Sequence, residues 1–143
     1  MKTVLPVITI LVLHTVFVLT NTYSIEYVDS VMHFCGGIAL GVLVAGTLSL
    51  AVRRHWCPWP GALIEGVLVI ALVATGAVTW EFYEWLSDHY LGTLLQPTLD
   101  DTIKDLALGF VGGIVSAAAN YSSTVAAATS KPLNHAALGP ERT

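Results

Sequence analysis

Three short stretches place ionisable side chains at helical spacing. Asp29 and His33 are four apart in "DSVMH" (29–33), Glu81 and Glu84 three apart in "TWEFYEW" (79–85), and Asp101 and Asp105 four apart in "DTIKD" (101–105). Spacings of three and four put both members of a pair on one helix face. Carboxylates together with one imidazole suit Mg²⁺, Mn²⁺, Ca²⁺ or Zn²⁺. In that reading Asp29, His33, Glu84 and Asp105 are metal ligands, and Glu81 or Asp101 is the general base that activates a water or hydroxyl group. Carboxylates crowded within a few ångströms cannot all ionise without protons, a cation or a basic partner. His33 and Lys104 are too few to neutralise them. Shared protons are the competing solution, and they would suit a non-enzymatic ion- or proton-binding element, or a small subunit docking on a larger membrane partner. A third reading is structural, with a polar network holding helices together.

The elements that carry these residues belong to a membrane. The 143 residues are 55% hydrophobic and only 11% charged, whereas soluble domains run near 25% charged. Apolar segments at about 4–20, 31–52, 61–85 and 102–121 each approach the roughly 20 residues that one crossing needs. The first, "VLPVITILVLHTVFVLT" (4–20), has the look of a signal peptide, but "NTYSIE" (21–26) offers no small-x-small cleavage site, so a retained helix is expected. The fold class is therefore all-α: a polytopic four-helix bundle over 1–124. The Ser-, Thr- and Ala-rich stretch 125–143 is expected to be a poorly ordered cytoplasmic tail.

Orientation follows from the basic residues. Four crossings put Lys2, Arg53, Arg54, Lys131 and Arg142 on one side and Lys104 alone on the other. By the positive-inside tendency both termini face the cytoplasm in a cell-membrane protein. Glu26, Asp29, His33, Glu81, Glu84, Asp88, His89, Asp100, Asp101 and Asp105 then gather at the non-cytoplasmic end, and Glu65 is the main exception. Partners expected from this placement are the bilayer, a lipid substrate, a membrane-protein partner or a second copy of the chain. No basic stripe points to nucleic acid, and no Gly-rich phosphate loop, GxSxG or HExxH appears. Cys35 and Cys57 fall near opposite ends of one predicted helix, roughly 30 Å apart, beyond the ~7 Å reach of a disulfide.

Small residues continue the ionisable ones. The second helix reads Asp29, His33, Gly37, Gly41, Ala45, Ser49 at steps of four, and the fourth reads Asp101, Asp105, Gly109, Gly113, Ala117. Such stripes let transmembrane backbones approach closely, so helices two and four are expected to pack together in parallel. Four residues overshoot one turn by about 40°, which limits the contact to two or three steps. Asp29 and Asp101, where helices begin, also read as N-caps. Glu81 and Glu84 lie toward a helix C-terminus, where the dipole disfavours negative charge. Trp80 and Trp85 mark the interface there, while Asp88, His89 and Asp100 read as solvated.

The motifs "YVDSVMHFCGG" (27–37), "WEFYEW" (80–85) and "DDTIKDLALGFVGG" (100–113), in this order and spacing, resemble the YjdF-like family of small bacterial integral membrane proteins. More distantly they resemble the VanZ-like proteins. The VanZ-like pattern tends to E-x2-Q and D-x3-N where this chain has Glu84 and Asp105, and its loop arginine has no counterpart in 86–100. The resemblance implies an integral membrane protein whose motif residues are Asp29, His33, Glu81, Glu84, Asp101 and Asp105, without a settled reaction. At headgroup depth on the outer side, such a site would act on a lipid or a lipid-linked envelope precursor.

Overall fold

The computed structural model describes residues 2–25 and 27–129, with side chains to 123; Glu26 and 130–143, including Lys131 and Arg142, lie outside the described residues. Among the described residues all regular secondary structure is helical, without strands. Helix α1 spans Leu5–Leu19, α2 Val28–Arg53, α3 Ala62–Leu91 and α4 Leu99–Thr129, and a single 3-10 turn, Thr22–Ser24, follows α1. Helices α3 and α4 run past the ends expected at 85 and 121. Gly92, in the left-handed region at φ 70°, ends α3, a conformation glycine adopts without a Cβ penalty.

Helices α2, α3 and the Leu99–Ser123 part of α4 are long and apolar enough to cross a membrane. Helix α1, at 15 residues, spans only about 22 Å and falls short of the ~30 Å hydrocarbon core. It runs antiparallel to α2, with Thr3 packed at Gly46 and Ile10 near Gly36. Its first turn therefore ends about two turns before Arg53. This is a protein with three candidate spans and a shorter apolar helix laid along the second.

Helices α2 and α4 share the most extensive packing, followed by α3 with α4. The reason is the small-residue stripe. A Cβ at Gly37 would strike the Gly109 carbonyl, and one at Gly112 the Phe34 carbonyl, so the two backbones touch directly. Lower down, the rows diverge. Gly41 faces Ser116, and Gly113 faces Val73 of α3. The i, i+4 row drifts around α4, so Gly109, Gly112 and Ser116 serve α2 while Gly113 serves α3. Val69 and Val73, fully buried, lead the core between Ala45 and Ala117.

Candidate functional site

The glycine contact fixes the register above it. With Gly37 against Gly109, His33 and Asp105, each four residues earlier, meet one turn up. Helix α3 runs antiparallel beside both and brings Glu81 and Glu84. The outcome is an imidazole ringed by acids from three helices. His33 Nε2 lies 3.4 Å from Asp29 Oδ1, 3.9 Å from Glu84 Oε1 and 4.0 Å from Asp105 Oδ2, and His33 Nδ1 lies 3.7 Å from Glu81 Oε1. The side chains of His33, Glu81, Glu84 and Asp105 are all at most 7% exposed, and only Asp29 opens to 25%.

Some carboxylate oxygens have partners. Trp80 Nε1 donates to Glu84 Oε1 at 2.8 Å, and the Gln96 amide donates to Glu81 Oε2 at 2.9 Å. Two do not: Glu81 Oε1 and Asp105 Oδ1 are buried without a hydrogen bond. A buried acceptor without a partner costs roughly 1–3 kcal/mol, so the arrangement calls for a cation or a proton. Asp29, His33 and Asp105 form one group able to hold a metal, with ligand atoms within 4.8 Å of one another, and His33, Glu81 and Glu84 form another.

Asp101 stands apart from this ring. It pairs with Lys104 Nζ at 2.5 Å, and the same ammonium reaches Asp105 Oδ1 at 3.8 Å. Both Asp101 and Lys104 line a cavity of about 320 Å³, of mixed polar and apolar lining, that Asp29 and Glu84 also line. This cavity is the mouth of the cluster. Neither aspartate acts as an N-cap. Tyr27 precedes α2 and makes no side-chain cap, so Asp29 is a first-turn residue. Thr98 caps α4, its hydroxyl accepting the Asp101 N–H at 3.1 Å.

Asp88 corrects a second expectation. It is not simply solvated: its carboxylate accepts the Thr93 hydroxyl at 2.6 Å and the Leu95 and Gln96 N–H groups at 2.8 Å each. These bonds fold the loop 92–98 back over the cluster and carry Gln96 to Glu81. Gln96 was missed in sequence because a lone amide in a loop carries no periodic signal. Trp80 was read as an interface marker, yet its N–H serves Glu84. At the opposite end of the bundle Glu65 is buried, accepting Trp59 Nε1 at 3.2 Å and Asn120 Nδ2 at 2.8 Å. This network ties α3 to α4 and is remote from the cluster.

A family model described as "Predicted membrane protein (DUF2238)" matches residues 2–124. The chain belongs to this family. The comparisons with curated proteins and with solved structures give no match. The family match covers α1 as well as the three spans, and so reaches beyond the 27–115 stretch that carries the sequence resemblance. Every residue of the cluster lies inside it, as do Trp80, Gln96 and Lys104.

Proposed function

We propose that the cluster binds a divalent cation and uses it on a lipid or lipid-linked envelope precursor at the outer face of the cell membrane. One observation carries the reading: three carboxylates from three helices converge on a single buried nitrogen, His33 Nε2. Donor atoms sharing one ion at bonds of about 2.0–2.2 Å lie roughly 2.9–3.6 Å apart. The 3.4–4.0 Å spread around Nε2 is near that spacing; Asp29, His33 and Asp105 already form one group within 4.8 Å, and Glu84, grouped with His33 and Glu81, has to swing in to complete the set. Asp29, His33, Glu84 and Asp105 are then the ligands.

Glu81 Oε1 faces the other ring nitrogen at 3.7 Å, where a carboxylate orients a metal-bound histidine, and, lacking a hydrogen bond there, it is the oxygen that would take a proton from a water or hydroxyl group. Asp101 lies at the mouth with Lys104, where a headgroup would enter. The cation would supply charge for a phosphate or ester oxygen. The depth of the site supports the substrate class. Counted from Trp59 at the opposite end, roughly 20 residues of α3 reach the level of Glu81, where headgroups begin. Lys2, Arg53 and Arg54 at the far end support an orientation with that end in the cytoplasm. The family is read as YjdF-like on the motifs above.

Bound divalent metal, measured on detergent-purified protein beside a Glu81→Ala, Glu84→Ala double variant, tests the reading. Stoichiometric Mn²⁺ or Zn²⁺ in the parent and none in the variant is the expected result. An absence of binding at any pH would sink it, leaving protonated carboxylates and an ion- or proton-handling element as the better account.

A further inference from the structure

Below the cluster the structure changes character. An almost wholly apolar cavity of about 200 Å³ lies between α1, α2 and α3, with His33 and His14 at its upper end and Gly36, Leu40, Val73 and Gly76 further down. One wall of this cavity is loose. Helix α1 packs on α2 and on the 3-10 turn, and among the described residues no Cα of α1 comes within 8 Å of α3. Aromatic rings bridge that seam at the top. His14 meets Trp80 edge-on at a centroid distance of 4.7 Å and Tyr83 at 6.0 Å. Beneath them the seam between α1 and α3 is a lateral slot facing the bilayer.

His14 is the polar group of this slot, and it is incompletely used. Its side chain is buried, its Nδ1 lies 2.7 Å from the Tyr23 hydroxyl, and its Nε2 has no hydrogen-bond partner. Burial, reinforced by the charges of Asp29 and Glu84, holds the Tyr23 phenol above its ordinary pKa, so it keeps its proton. Where that O–H donates to Nδ1, the ring proton sits on Nε2. In that tautomer the upper end of the slot offers a hydrogen-bond donor, next to Tyr23 at the edge of the mouth.

We propose that this slot binds a single acyl chain of a membrane phospholipid, entered sideways between α1 and α3, with His14 Nε2 donating to its ester oxygen. A phospholipid chain fits what the slot provides: a hydrocarbon lining, lateral access from the bilayer, a buried histidine nitrogen without a partner at its upper end, and continuity through His33 with the acidic cluster where the headgroup would lie. The proposal rests on the preceding section only for what happens to that headgroup. The chain site itself stands on the cavity, the seam and His14.

Fluorescence quenching tests it in the full chain. Trp80 lines the slot, so replacing Trp56, Trp59 and Trp85 by Phe leaves it as the reporter. Phosphatidylglycerol carrying 9,10-dibrominated chains is titrated into the protein in detergent micelles, and Mn²⁺ binding is measured separately on the same proteins by calorimetry. Gly36→Leu fills the slot, since a Cβ there meets only Ile10 Cγ2 at 3.9 Å, while Gly66→Leu points into open space as the control. The expected result is saturable quenching that Gly36→Leu abolishes, Gly66→Leu retains and His14→Phe weakens, with Mn²⁺ binding unchanged throughout. The same quenching pattern in a parent that binds no Mn²⁺ supports the chain site and removes the metal reading alone. Quenching proportional to lipid and indifferent to Gly36→Leu and His14→Phe overturns the proposal. Saturable quenching by 9,10-dibromostearic acid with none by the phospholipid also overturns it, giving the slot to a free fatty acid.

Discussion

Replacing Gly37 by alanine adds one methyl group at the point on which the cluster depends. The new Cβ would collide with the Gly109 carbonyl, which is backbone and cannot rotate away, so α2 and α4 must separate. A gap of about 0.5–1 Å forfeits a quarter to a half of the dispersion energy across the seam, and overpacking of this kind costs about 1–3 kcal/mol. The same displacement carries Asp29 and His33 away from Asp105. Metal–ligand bonds tolerate deviations of only about 0.2 Å, so Mn²⁺ affinity should fall by at least the roughly 10–100-fold seen when an outer-shell partner is lost. Gly66→Ala is the matched control, because nothing lies within 4 Å of its added Cβ. It also gains up to ~1 kcal/mol of helix propensity. The assays are thermal unfolding in detergent and calorimetric Mn²⁺ titration. If Gly37→Ala equals Gly66→Ala in both, the backbone contact does not set the register and the reasoning fails.

Other substitutions separate the two ends of the molecule. Glu65→Ala leaves the Trp59 and Asn120 donors without their shared acceptor and should cost about 1–3 kcal/mol in thermal unfolding, with Mn²⁺ affinity unchanged because the cluster is at the other end. Asp88→Ala removes the acceptor of three hydrogen bonds from Thr93, Leu95 and Gln96. Limited proteolysis should then cut faster within 92–98, and Mn²⁺ binding should weaken as Gln96 ceases to steer Glu81. His33→Ala takes the only imidazole from four neighbouring carboxylates and should lower the unfolding midpoint, with added Mn²⁺ recovering less of it than in the parent protein. A midpoint unchanged by His33→Ala would show that the acids compensate one another through protons alone.

Much of this geometry was legible in the sequence because it is periodic. Asp29 with His33, Asp101 with Asp105 and Glu81 with Glu84 announce themselves through spacings of three and four, and the glycines continue the same faces. What stayed hidden depends on contacts rather than period. Gln96 and Asp88 act through a loop whose path no pattern encodes. Trp80 looks the same in sequence whether its N–H meets lipid headgroups or Glu84. The drift of about 40° per step limits the i, i+4 contact as expected, but which residues take over below it, Ser116 opposite Gly41 and Val73 against Gly113, is not encoded in the period. Helix α1 reads as a full crossing by composition, whereas its 15 helical residues are too few.

The direction of the helices explains why the acids are tolerated unequally. Asp29 and Asp101 sit in the first turns of α2 and α4, where the positive end of the dipole favours a carboxylate by about 0.3–1 kcal/mol. Both are also the more exposed acids, at 25% and 21%. Glu81 and Glu84 receive no such help. They lie in a helix running the other way, and more than a turn from its end at Leu91. Their compensation has to come from side chains: Gln96 for one oxygen of Glu81, Trp80 for one of Glu84, and His33 for both. Helix packing needs none of this. A single glutamate, Glu65 at the other end, already ties α3 to α4 through Asn120 while Trp59 satisfies its second oxygen. Glu81 Oε1 and Asp105 Oδ1 still lack a hydrogen bond, each with only a longer ionic neighbour, His33 Nδ1 at 3.7 Å and Lys104 Nζ at 3.8 Å, and a proton or a bound cation would complete what the fold itself does not need.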